Sequence, residues 1–160
     1  MDKNLFPADV VVGESLVDRK DWPRKDGPWN QEPDRIQWRD PETGSVCLIK
    51  RNAYGGLCGY VGVAPGHPWH NLNYMGLIGV QVHGGLTYSD HCQDDPINGI
   101  CHVPNPGEAD HLYWLGFDCG HSFDLCPNER SYGGKYRDVK YVRDEVTNLA
   151  KQAKEAEINV

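Results

Sequence analysis

Long apolar runs are missing from this sequence of 160 residues. No stretch approaches the ~18 consecutive apolar residues of a membrane-spanning helix. Residues 1–7 also lack the apolar segment of a secretory signal peptide. We therefore expect a soluble, cytoplasmic protein that has no membrane partner.

Basic residues are also scarce. The chain has 16 lysines and arginines against 23 aspartates and glutamates, which gives a formal net charge of -7. A nonspecific nucleic-acid binder usually carries a basic face, so we expect no such binding. An acidic surface favours solubility, and it is compatible with a basic protein partner or with a locally basic pocket that holds a phosphate compound.

Several common catalytic motifs are absent, namely the phosphate-binding loop, the dinucleotide fingerprint and the motifs of zinc peptidases and serine hydrolases. No C-x-x-C pair occurs, so the sequence matches no zinc ribbon or zinc finger. In the cytoplasm we expect reduced cysteines. There are six: Cys47, Cys58, Cys92, Cys101, Cys119 and Cys126.

Glycine and proline, by contrast, are plentiful, at 18 and 11 residues, and they indicate many turns. Residues 1–45 form a Pro- and Trp-rich arm in which proline excludes long helices and central strands. The tryptophans suggest that this arm packs on the body of the protein. Alternating residues predict a hairpin over 35–51. We place the sheet core at 46–124, so the second strand of this hairpin belongs to it. Further strands are predicted at 57–63, 77–82 and 112–117.

The last segment is predicted to be a helix over 138–157. Asp138 is a suitable N-cap residue. Apolar residues then recur at spacings of three and four, which gives one buried stripe: Val139, Val142, Val146, Leu149 and Ala153. Strands followed by one long helix predict a single α+β domain, 1–160, in which the helix packs on one face of an antiparallel sheet.

Two apolar stretches end in ionisable residues beside glycines. One is 77–82, followed by His83, and the other is 114–117, followed by Asp118, His121 and Asp124. Rigid strands that deliver such groups at their ends are a common way to build a site. We expect the two strand ends to meet in one pocket.

His83, Asp118, His121 and Asp124 are the candidate catalytic residues. Imidazoles and carboxylates suit a divalent metal, zinc above all, and the candidate ligands are His83, Asp118 and His121. Alternatively, Asp118 orients His121 as a general base. The purely structural alternative is that Asp124 caps a turn, that Asp118 accepts from backbone N–H groups, and that His83 lies on a strand bend.

Four further residues are candidates for ligand binding. Gly84 and Gly85 allow a sharp turn that exposes backbone N–H groups to an anion. Tyr88 and Trp114 offer flat aromatic faces on which a base can stack. The pocket would thus take a small molecule.

The cysteines allow two more hypotheses. Cys92, Cys101 and Cys119 could bind a structural zinc ion together with His121, although the spacing fits no known pattern. Cys119 could be a nucleophile, because residues two apart on a strand face the same side and His121 could activate the thiol. Packing as small apolar side chains is the simpler alternative.

Motifs of the type VHGGLTY and WxGFDxxH make the chain similar to a group of small uncharacterised proteins of bacteriophages and bacteria. The resemblance covers residues 46–152, and no activity is established for this group of proteins. The segments that carry it are 59–63 with His67 and Pro68, 82–88, 114–121 and 136–142. It implies a phage or prophage setting and hence the host cytoplasm. It also implies an anti-defence role, because small acidic phage proteins often bind a host protein or capture or degrade a nucleotide signal.

Three functions therefore compete. The first is a hydrolase, with or without an assisting metal, acting on a phosphorylated or nucleotide-like small molecule. The second is a non-catalytic protein that sequesters such a ligand. The third is an accessory protein that inhibits a host protein through its surface.

Overall fold

The computed structural model describes residues 1–13, 17–95, 98–108, 110–130 and 133–159. These residues form six strands, one long helix and three short 3₁₀ turns. The strands are β1 (Val11–Gly13), β2 (Arg35–Arg39), β3 (Val46–Arg51), β4 (Leu57–Val63), β5 (Tyr88–His91) and β6 (Tyr113–Asp118). The helix is α1 (Val139–Ile158), and the 3₁₀ turns are Lys3–Leu5, Pro28–Gln31 and Tyr74–Gly76.

All six strands pair antiparallel in the order β1-β2-β3-β4-β6-β5. The first four form a meander, which includes the hairpin predicted at 35–51. The chain then leaves β4, runs through the long connection 64–87 and returns as β5 on the edge beside β6. This connection carries His83.

Helix α1 begins where the sequence predicts it. The Asp138 side chain accepts a hydrogen bond from the backbone N–H of Tyr141, 2.9 Å away, and so caps the first turn. The predicted apolar stripe is buried, and the helix packs across β3 and β4. The predicted α+β fold, an antiparallel sheet with a long C-terminal helix on one face, is confirmed.

The sheet buries side chains on both faces. Cys47 and Ile49 of β3 belong to the core beneath α1, whereas Val46 and Leu48 face a second, smaller core. This alternation is the two-residue period of a strand. Ile100, from the segment between β5 and β6, covers the second core.

The predicted strand at 77–82 is wrong. Leu77, Val80 and Val82 pack against the core, but Ile78 is 94% exposed and the segment pairs with no strand. The backbone of Gln81 bonds to side chains of α1 instead. The Gln152 side chain accepts from the N–H of Gln81, and the Asn148 and Gln152 amides donate to the Gln81 carbonyl.

The N-terminal arm contributes β1 and β2 to the sheet, which therefore starts before residue 46. Trp22 and Trp29 are buried, as expected for an arm that packs on the body. Within the described part of the chain, no helix has the length and apolar character needed to cross a bilayer.

Candidate metal centre

Three ionisable side chains converge beyond the end of β6. His83 comes from the long connection before β5, and His121 and Asp124 come from the turn after β6. One donor atom of each lies within 4.8 Å of the other two, so the group could hold a metal ion. The rings of His83 and His121 are 5.6 Å apart between centroids.

Asp118 fixes the turn that carries two of these residues. Its carboxylate accepts from the N–H of Gly120 at 3.0 Å and from the Thr87 hydroxyl at 2.8 Å. The second bond ties the segment after His83 to the end of β6. Asp118 thus lies beside the site as a positioning residue, outside the three-residue group.

Asp124 lies at the centre of the group, with its side chain fully buried. Its Oδ2 lies 2.8 Å from His83 Nε2 and 3.3 Å from His121 Nδ1, and it accepts from the His121 backbone N–H at 3.1 Å. Its Oδ1 accepts from Arg137 Nε at 2.9 Å. The carboxylate is therefore held by groups from three separate segments.

Burial alone would raise the pKa of Asp124. The hydrogen bonds with His83, Arg137 and the His121 backbone outweigh that effect and hold the pKa below its ordinary value. Asp124 therefore stays ionised near neutral pH, which is the state in which a carboxylate binds a metal.

The second nitrogen of His83 has its own partner. Nδ1 lies 2.7 Å from the Tyr141 hydroxyl on α1, and the ring is nearly buried. A histidine that ligates a metal usually bonds through its other nitrogen to an oxygen, which fixes the orientation of the ring. The environment of His83 fits that arrangement.

His121 is the most accessible member, with a side chain 24% exposed. Its ring stacks on Phe123 at 5.3 Å and 6°, and Phe123 itself is half exposed. The Arg137 guanidinium lies over the Tyr141 ring at 4.9 Å. The group is therefore exposed to solvent on the side of His121 and Phe123.

The structure brings His83, His121 and Asp124 together, as the sequence suggests. Gly84 lies against the His121 ring, whereas a Cβ at Gly85 would meet open space. Tyr88 and Trp114 do not line this site. Both belong to the second core on the face away from α1, where Tyr88 contacts Tyr60 and Trp114 is fully buried.

The hypotheses for Cys119 are wrong. Burial, followed by the charge of Asp124, raises the pKa of the Cys119 thiol far above its ordinary value. The side chain is 2% exposed, so neither its burial nor its pKa supports a nucleophilic role.

The expectation of six reduced cysteines is also wrong, because Cys92 and Cys101 form a disulfide. The proposed zinc set of Cys92, Cys101, Cys119 and His121 is not assembled. Cys92 follows His91, which pairs with Tyr113 at the start of β6, and Cys119 follows the end of β6. The strand separates them by ~20 Å. The four remaining cysteines are free and buried: Cys47, Cys58, Cys119 and Cys126.

Sequence reasoning missed Arg137 and Tyr141. Both lie where α1 begins, one residue before the N-cap and three residues after it. Tyr141 precedes the buried Val142, so its position on the helix places it at the edge of the apolar stripe. That signal alone does not identify its partner.

Comparisons with protein-family models, with curated proteins and with solved structures find no significant match for this chain. The likeness to phage and bacterial proteins therefore stays a prediction.

Proposed function

We propose that His83, His121 and Asp124 bind one divalent metal ion, zinc first, and that the protein is a metal-assisted hydrolase of a phosphorylated or nucleotide-like small molecule. The proposal rests on one observation. Donor atoms of His83, His121 and the fully buried Asp124 lie within 4.8 Å of one another. Two imidazoles and one carboxylate form a typical catalytic zinc set.

Burial supports a catalytic rather than a structural ion. Three protein ligands leave one position of a tetrahedral ion open, as catalytic sites do. Asp124 and His83 close the inner side, while the exposed edge of His121 leaves the outer side accessible. A metal in such a site polarises the substrate and activates water.

Arg137 supports a phosphorylated substrate. Its Nε binds Asp124, and its terminal nitrogens have no hydrogen-bond partner among the residues that the structure describes. The planar guanidinium suits the oxygens of a phosphate group. In a protein of net charge -7 it supplies a positive charge beside Asp124.

The test uses metal-free protein restored with zinc or manganese. Nitrophenol release is followed on bis(p-nitrophenyl) phosphate and phosphate release on nucleotides. Conversion of cyclic to linear dinucleotides is followed by chromatography. We expect metal-dependent turnover that His121→Ala abolishes. Ile78→Ala is the control, since the Ile78 side chain is 94% exposed and lies outside the three-residue group. Turnover that His121→Ala leaves unchanged would contradict the assignment.

The second candidate is a non-catalytic phage accessory protein that counters host defence by sequestering a nucleotide signal. The stacked rings of His121 and Phe123 favour it, because an exposed aromatic face beside an arginine suits a base and its phosphate. Inhibition of a host protein is the remaining form of this alternative.

Calorimetry with the same nucleotides separates the two candidates. Capture predicts binding without turnover, and it predicts that Phe123→Ala weakens binding by ~5- to 150-fold, the equivalent of ~1–3 kcal/mol for a lost base stack. Hydrolysis predicts metal-dependent product. A charge-dependent complex with a host protein that survives both Phe123→Ala and His121→Ala would favour inhibition.

A further inference from the structure

A second cluster of metal-ligand types lies at the opposite end of β6. Cys92 directly follows β5, and Cys101 lies nine residues further along the chain, between β5 and β6. The two form a disulfide, and the Asp110 carboxylate lies against it. Donor atoms of these three residues all lie within 4.8 Å of one another.

The position of Asp110 is unexplained in the disulfide form. Its oxygens lie 3.0 Å from Cys92 Sγ and 2.9 Å from Cys101 Sγ. A disulfide has no S–H, so no hydrogen bond accounts for either distance. Among the described residues, no lysine or arginine pairs with Asp110. A carboxylate and two sulfurs thus meet without a cation between them.

His102 adds an independent observation. Its side chain is 1% exposed, and neither ring nitrogen has a hydrogen-bond partner. The ring Nδ1 faces Asp110 Oδ1 at 3.6 Å. Nε2 lies 4.0 Å from Glu108 Oε1, also beyond hydrogen-bond distance. Buried polar groups are nearly always hydrogen-bonded, so an imidazole without a hydrogen bond beside two sulfurs and a carboxylate points to a missing ligand.

The backbone around these donors is anchored. Arg35 of β2 donates to the Cys101 carbonyl at 2.7 Å, and Gln37 exchanges two hydrogen bonds with the backbone of Val103. Next to the two cysteines, the N–H of Gln93 donates to the Ile100 carbonyl. These hydrogen bonds therefore fix the backbone that carries the sulfur and imidazole donors.

We propose that Cys92, Cys101, His102 and Asp110 bind one zinc ion in the reduced protein, and that the disulfide is the oxidised, metal-free form of the same site. Two thiolates, one imidazole and one carboxylate complete a tetrahedral shell. A closed shell of four protein ligands is the mark of a structural zinc.

The exchange between the two forms is chemically balanced. A dithiol reductant gives its electron pair to the S–S bond and becomes a cyclic disulfide, which leaves two cysteine thiols. Zinc then displaces one proton from each thiol into solvent. The sulfurs separate to ~3.8 Å, the edge of a tetrahedron with Zn–S bonds of ~2.3 Å.

The site has a structural consequence. Ile100 and the ring of His102 pack over Trp114, so this segment covers the second core of the sheet. Either the disulfide or the zinc ion would fasten it there. This proposal shares no residue with the candidate hydrolytic site.

Cobalt distinguishes this site from the other, because only a sulfur-ligated cobalt ion gives a thiolate charge-transfer band. Full-length protein is titrated with Co²⁺ after reduction with a phosphine and, in parallel, after oxidation. Zinc is then added to displace the cobalt. The variants are Cys92→Ser/Cys101→Ser, His102→Gln and Asp110→Asn, with His121→Ala as the matched control.

In reduced protein we expect a charge-transfer band that corresponds to one Co²⁺ bound per chain and disappears when zinc is added. In oxidised protein we expect no band. His102→Gln and Asp110→Asn should weaken cobalt binding at least ~10-fold, whereas His121→Ala should leave the band intact. No band in reduced wild-type protein would overturn the proposal without any variant having to fold. A band that neither His102→Gln nor Asp110→Asn changes would overturn the ligand set.

Discussion

Gly84 sets the position of the His121 ring. A Cβ built on Gly84 would come within 2.2 Å of His121 Cε1, and the backbone there has a φ of +67°. Gly84→Ala should therefore push His121 away from Asp124 and weaken zinc binding by ~10-fold or more. Zinc affinity is measured by competition with a chelator.

Gly85→Ala is the matched control for that change. Gly85 has a φ of +81°, so an alanine there carries similar backbone strain, but its Cβ would meet nothing within 4 Å. We expect Gly85→Ala to lose stability without losing zinc affinity. Equal losses of affinity in both variants would show that backbone strain, and not the His121 contact, is responsible.

Asp124 should make the metal-free protein sensitive to acid. Its pKa is lowered in the folded state, so its contribution to stability is complete above the unfolded pKa of ~3.9 and is lost as pH falls through the folded value. The difference in unfolding free energy between wild type and Asp124→Asn should shrink below pH ~4. Urea unfolding at several pH values measures it, and a difference independent of pH would contradict the assignment.

For individual residues of the candidate site, the sequence predicts the right residue types but not their partners. Asp118 and Asp124 are both acidic and both near His121, and nothing local distinguishes them. Only the fold places Asp124 between His83 and Arg137, while Asp118 meets Thr87. Those contacts join residues far apart in the chain, which no local pattern can reveal.

Among the secondary-structure elements, α1 and β4 approach each other closely at Gly59. A Cβ on Gly59 would come within 2.5 Å of Val146 on the helix and 2.6 Å of Phe117. Gly59→Ala should therefore destabilise the protein by ~1–3 kcal/mol through overpacking. Gly13→Ala in β1 is the control, since its Cβ would make ordinary contact at 3.6 Å. Urea unfolding of the two variants should differ clearly, and equal stabilities would contradict this packing.

The elements themselves differ in how far the sequence predicts them. Helix α1 follows from its cap and its apolar spacing, because both are local signals. The segment 77–82 has the composition of a strand, yet side chains of α1 satisfy the backbone of Gln81. Its apolar residues face the core without a neighbouring strand, and this depends on the packing of the whole domain.

Across the whole molecule, Arg51 ties three parts of the chain together. It pairs with Asp34, donates to the Tyr136 hydroxyl at 2.8 Å and lies 3.8 Å from Glu32, which in turn accepts from the N–H of Val139 at 2.6 Å. The buried guanidinium thus links the arm, the sheet and the start of α1.

Arg51→Met should cost up to ~3–5 kcal/mol of unfolding free energy. It removes the fully buried cation from beside Glu32 and leaves Asp34 paired with Arg19 alone. Arg39→Met is the control. Arg39 pairs with Glu108 on the surface, where such a loss is worth about 1 kcal/mol at most. Chemical denaturation of both variants measures the difference. Equal losses of unfolding free energy in both variants would show that the buried contacts of Arg51 stabilise the protein no more than a surface ion pair does.

The most direct test of the central claim is calorimetric titration of zinc into oxidised, chelator-treated protein. In that form Cys92 and Cys101 are bonded to each other, so of the two ligand groups found among the described residues the one of His83, His121 and Asp124 remains open. We predict one zinc ion bound per chain in the wild type and none in His121→Ala. Absence of binding in the wild type, or the same binding in His121→Ala, would contradict the account.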